Sequence, residues 1–317
     1  MQSDNNIPWR SGEPGENPPE QTLGGSFHLN DDPPSQDPAY CSQCGGLWEA
    51  GQNTYADCGY PSVDAIIEAD VSAISAGNLT GSRATRRMGR VPWGGWQLAA
   101  GIVLVILSLF SAAALALVIG SLYPEQQEDA VATWISVHLM AAAIVATVWY
   151  LGLRHSRHPW VLLRLGRVQW PKKGTVLLML GVLGTSLIAT SVYAGVVDWL
   201  GLDNLSTPEV ESDIFFDGPF VLLTFQALAF ITPMSEELFF RGFIFRGLLP
   251  KFGPWRAIVA SAAVFSAFHL SLGVLIPIFI TGFLFAWLYW RTGSLWAAIG
   301  AHAGQNALAL GVQALSS

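Results

Sequence analysis

The chain has 317 residues, 51% of them hydrophobic and only 12% charged, with a mean hydropathy of +0.41. That balance is too apolar for an ordinary soluble protein and places the chain in a membrane class. A formal net charge of -7 leaves no basic stripe to neutralise phosphates, which argues against nucleic acid as a partner.

Residues 1–39 are rich in Pro, Gly, Asn and acidic side chains and hold few apolar anchors. They bury too little surface to offset chain entropy, so a disordered tail is expected, and its start lacks the apolar core of a secretory signal. Residues 40–62, AYCSQCGGLWEAGQNTYADCGYP, contain all three cysteines: Cys41, Cys44 and Cys58. The pattern resembles a zinc ribbon in which Tyr55 stands where the second knuckle needs a cysteine. A fourth ligand would come from Asp57, His28 or a partner; the alternative is a metal-free module packed around Trp48, Tyr55 and Tyr60. Residues 63–92 read as a linker.

From residue 93 onward the sequence turns apolar. Segments 98–123, 130–151 and 175–197 are each long enough to cross about 30 Å of hydrocarbon. Segment 219–249 exceeds one span and carries Pro233 near its middle, which predicts a kinked or tilted helix. Segments 257–273, 274–290 and 294–312 complete a count of seven, so the expectation is an all-α polytopic transmembrane bundle. Of the 16 Lys and Arg residues, every one except Arg10 and Arg241 lies on or beside alternate connecting segments, and the two longer intervening loops are acidic. This positive-inside pattern predicts a cytosolic N-terminus and an external C-terminus in a multi-pass protein of the plasma (inner) membrane.

The stretch TPMSEELFFRGF (232–243) places two glutamates and an arginine inside apolar sequence. Charges in hydrocarbon are costly and usually mark function. Glu237 and Arg241 are four residues apart on one helix face, the spacing of an ion pair. Glu236 is rotated about 100° away and has no partner in its own helix. His269, His302 and Asn306 lie in later helices, with Asn306 one turn after His302. A lone transmembrane histidine is usually an interhelical hydrogen bonder, and His138 receives that reading. The larger set is expected to converge, because unsatisfied polar groups in lipid are expensive. No serine or cysteine nucleophile is supported: nothing ties Ser235 to a histidine. Glu236 with a histidine can deprotonate water, and an imidazole N–H with an amide N–H can hold an oxyanion. Together these describe amide hydrolysis, with a membrane-associated protein or peptide as substrate and the lipid bilayer as the other partner.

Glu236-Glu237-x-x-x-Arg241, Phe265-x-x-x-His269 and His302-x-x-x-Asn306 resemble the three motifs of the CAAX protease and bacteriocin-processing (CPBP) family, glutamate-dependent intramembrane endopeptidases that include the type II CAAX prenyl endopeptidases. The similarity covers about residues 215–315. It implies that Glu236 is the catalytic carboxylate and His269 its partner in activating water. It further implies that His302 and Asn306 form the oxyanion hole, that Glu237 and Arg241 hold the geometry, and that catalysis needs no cofactor. Two rivals differ in kind. One is a zinc-dependent protease using Glu236, His269 and His302 as a His2Glu site, and the other is a non-catalytic membrane immunity or scaffold protein.

Overall fold

The structure, a computed structural model, describes Met88 and residues 91–156, 159–165, 172–208 and 211–316. The tail, the cysteine island with Cys41, Cys44 and Cys58, and nearly all of the linker lie outside the described residues. Every regular element among the described residues is helical.

Helix α1 (Gly95–Gly120) leads into α2 (Glu125–Val148), which continues through a π turn at Trp149–Leu153. Glu125 and Glu128 lie in the first turn of α2, where the helix dipole favours acidic groups. A one-turn helix α3 (Pro159–Leu162) precedes the long α4 (Lys172–Leu200). Three 3-10 turns then lead into a stretch that stays helical through α5 (Val221–Phe225), a π segment (Gln226–Ile231), α6 (Thr232–Glu237), a second π segment (Leu238–Phe245) and α7 (Arg246–Ala267). Helices α8 (Leu272–Thr292) and α9 (Leu295–Ser316) close the chain. Gly253, at φ 73° and ψ 173° between Pro250 and Pro254, breaks α7 in two. With that break, the seven helices expected from hydropathy are present.

Among the described residues, five stretches are long and apolar enough to cross a membrane: Gly95–Gly120, Glu125–Leu153, Lys173–Leu200, Gly218–Ala267 and Leu272–Thr292. Their outward faces carry large apolar side chains such as Leu107, Phe110, Leu177 and Ile188, which suit lipid rather than water. The protein is an integral membrane protein.

The long segment departs from a single proline kink. Pro233 lacks an N–H and sits at the start of α6, directly after the first π segment, so the ladder is irregular where the proline removes a donor. Backbone carbonyls of the π segments also serve neighbouring elements. Trp93 Nε1 donates to the Phe243 carbonyl in the second π segment at 2.9 Å, anchoring the start of α1. The core forms around that same segment: Phe239, Phe243 and Phe245 are fully buried, with Phe265 from α7 and Phe285 and Tyr289 from α8. Helix α1 packs on α2, α7 on α8, and α4 across α8 and α9. Gly282 permits the close approach of α7 and α8. A Cβ there would stand 2.8 Å from Phe265 Cδ1 and 3.3 Å from Ala262 Cα.

Candidate active site

Two π segments bracket the two short turns of α6, and α6 ends on Glu236 and Glu237. Glu237 is wholly buried. Its Oε1 accepts from Arg241 at 2.6 Å and from His302 Nδ1 at 2.9 Å. Arg241 is also wholly buried and donates a second time, from NH2 to the Gly282 carbonyl at 3.0 Å. Its guanidinium lies 4.4 Å from the Phe265 ring centroid and 5.6 Å from that of Phe285, so aromatic faces cover the charge where hydrogen bonds do not. A buried ion pair survives only when both partners are paired and further hydrogen-bonded, and this one is.

Glu236 faces another way, as the 100° step requires. Its side chain is 21% exposed, and its Oε2 stands 3.7 Å from His302 Nε2. It lines a cavity of about 270 Å³ together with Thr232, Ser235, Phe240, Phe268 and His269. With a water occupying about 30 Å³ of liquid, that volume has room for several water molecules.

His269 was expected inside a helix spanning 257–273. It lies instead in the turn just past α7, where Leu270 takes φ 50° and the chain reverses before α8. Its Nδ1 is 3.0 Å from the Phe265 carbonyl, one of those left open at the end of α7. With Nδ1 so engaged, Nε2 is the nitrogen left free. Asn306 donates from Nδ2 to the Leu228 carbonyl at 2.9 Å, and Leu228 belongs to the same cavity wall as Glu236 and His269. The structure thus brings Glu236, Glu237, Arg241 and His302 into direct contact. His269 joins them through the cavity, and Asn306 through its wall.

Phe265 had been singled out only as the residue one turn before His269. Its ring also stacks on Arg241 and meets His302 edge to face at 5.8 Å. The Gly282 carbonyl could not have been anticipated, since nothing in the sequence distinguishes one backbone oxygen from another. His138 is the interhelical hydrogen bonder expected of it: Gln226, 88 positions away, lies 3.1 Å from it. Ser235 sits on the partition between the first cavity and a second, almost wholly apolar cavity of about 480 Å³ walled by Trp149, Trp160, Met234 and Leu238. Its hydroxyl donates to the Thr232 carbonyl at 3.0 Å, so it is spent within its own helix. Among the described residues, no three His, Cys, Asp or Glu side chains are grouped as a metal site requires.

A transmembrane helical bundle with a buried carboxylate–guanidinium–imidazole cluster beside a small cavity defines a class of membrane-embedded proteins that gather ionisable groups at an internal site. Residues 218–308 match the family model described as "Type II CAAX prenyl endopeptidase Rce1-like". Over 76 residues the chain is 37% identical to a Bacillus subtilis protein named "Putative membrane peptidase YdiL"; the match covers 24% of this chain and 31% of that relative. The chain thus aligns with about a third of that relative's length. No solved structure matches the chain.

Proposed function

We propose that the protein is an intramembrane endopeptidase that hydrolyses a peptide bond of a membrane-associated substrate with Glu236 as the catalytic carboxylate. The observation that carries this reading is the division of labour between adjacent glutamates. Glu237 is buried and doubly engaged, whereas Glu236 is the one open to the cavity that His269 also lines. The matched peptidase family supports the same conclusion.

In the proposed reaction Glu236, with His269, takes a proton from water as its oxygen attacks the scissile carbonyl. The carbonyl π electrons move to oxygen, and the oxyanion is held by N–H groups of His302 and Asn306. His302 keeps one nitrogen on Glu237, and in its imidazolium form the other donates. Asn306 holds Leu228 with one amide hydrogen and has a second to offer. Collapse of the tetrahedral intermediate breaks the C–N bond, and the leaving amine receives the proton that the carboxylate accepted. No cofactor takes part. Cys41, Cys44 and Cys58 are proposed to hold a zinc ion in an accessory cytosolic module, and the protein to sit in the inner membrane with its basic loops in the cytosol.

The test compares the termini of membrane proteins in cells carrying the natural chain and cells carrying Glu236→Gln at equal abundance. Termini that disappear with the glutamine variant are expected and would identify the substrate. Identical termini across growth conditions would overturn the reading in favour of an immunity or scaffold role.

A further inference from the structure

The first π segment (Gln226–Ile231) is clamped from outside the matched region, by α2. Trp134 Nε1 lies 3.1 Å from Gln226 Oε1, Gln226 Nε2 lies 3.1 Å from His138 Nε2, and His138 Nδ1 lies 2.7 Å from the Trp134 carbonyl. Only one assignment of hydrogens satisfies all three contacts. An indole nitrogen can only donate, so the Gln226 oxygen must face it and the amide nitrogen must face His138. The imidazole Nε2 then accepts, which places the ring proton on Nδ1, where it donates to the Trp134 carbonyl. The rings of Trp134 and His138 lie against each other with centroids 4.0 Å apart. Each of the three side chains thereby fixes the orientation of the next.

The clamp bears on the site through the backbone. Gln226 opens the π segment, and two residues later the freed Leu228 carbonyl accepts from Asn306. The neighbouring Ala227 carbonyl accepts from the Thr232 N–H and from Thr232 Oγ1 at 3.1 Å, so side chains reinforce the backbone ladder of the segment. Leu228 and Thr232 both line the cavity that contains Glu236, and so do Ser136, Val137 and Met140 of α2, on the turns around His138.

We propose that Trp134, His138 and Gln226 form a positioning unit for the hydrolytic site, locking the π segment so that the Leu228 carbonyl aims the Asn306 amide at the cavity. The inference rests on the reading of Asn306 as an oxyanion donor, and its test is chosen to fail separately from that reading. None of the three residues touches the reacting atoms. They act through Leu228 and Asn306, and two of them lie on a helix that the family match does not include.

The full-length protein, labelled with [15N]asparagine, gives a side-chain amide signal for Asn306 that Asn306→Ala assigns. Gln226→Leu and His138→Phe are expected to shift that signal, while the signal of Asn204, exposed in the loop after α4, stays in place. Trp134→Phe removes the indole N–H, keeps an aromatic ring and is expected to shift it in the same direction; this milder variant covers the event that the others fold poorly. Each variant is expected to lower the rate of appearance of Glu236-dependent termini about 10- to 100-fold, the range that a small misplacement of a reacting group produces. Gln226→Leu combined with His138→Phe is expected to be no slower than either alone, because each breaks the same unit. An Asn306 signal that stays put in all three variants would overturn the proposal, as would multiplicative losses in the double variant. A shifted signal together with termini that ignore Glu236→Gln would leave the clamp standing and remove only the protease reading.

Discussion

Adjacent residues on an α-helix point about 100° apart, and at Glu236 and Glu237 that angle separates a carboxylate that opens on the cavity from one that is buried and paired. Glu237 neutralises a fully buried arginine, so Glu237→Gln is expected to cost about 3–5 kcal/mol, as removal of one member of a buried pair does, and to lower the melting temperature in detergent. Glu236→Gln is expected to leave the melting temperature near that of the natural protein while abolishing cleavage, because its side chain opens on the cavity. Equal melting losses in the two variants would refute the distinction. Arg241→Lys tests the geometry of the cation. An ammonium can follow Glu237 but cannot also span to the Gly282 carbonyl in the same fork, which leaves a buried acceptor open at about 1–3 kcal/mol.

The two π segments make the long helix do what a regular one would not. The Leu228 carbonyl, five residues before Pro233 and its missing N–H, gives Asn306 of α9 a place to dock, and the Phe243 carbonyl takes Trp93 at the start of α1 beside its own backbone donor, Arg246. The α7–α8 contact depends on Gly282. Gly282→Ala is expected to cost about 1–3 kcal/mol by overpacking against Phe265 and Ala262. Because Phe265 also covers Arg241, the same change should slow cleavage. A melting curve unchanged by that substitution would show that the helices part freely. Helix α4 is tied in by a second buried polar cluster, in which the Ser186 hydroxyl lies 2.7 Å from both Gln305 Oε1 and Thr281 Oγ1. Serines in apolar helices are common, and nothing in the local pattern marked this one.

For the molecule as a whole, the asymmetry of charge predicts topology. Reporters fused at the two ends should read cytosolic at the N-terminus and external at the C-terminus, and the reverse result would invalidate the orientation drawn from the basic loops. Chelation provides a second test at this scale. If catalysis runs on Glu236 without metal, cleavage by a chain lacking the cysteine island should persist in strong chelator. Loss of cleavage there would revive the zinc reading of Glu236, His269 and His302.

Hydropathy and charge by themselves determined the all-α membrane class, the number of helices and the residues most costly to leave in lipid, because transfer free energy is a local property that each segment carries with it. Spacing along one helix was likewise enough to separate Glu236 from Glu237. Only the tertiary structure decided which groups meet. The turn that takes His269 out of α7, the Gly282 carbonyl that receives Arg241, and the Gln226 amide that joins His138 all depend on backbone direction and on partners from distant parts of the chain. Contacts of that kind arise from packing whole helices together, and no periodicity within a single helix encodes them.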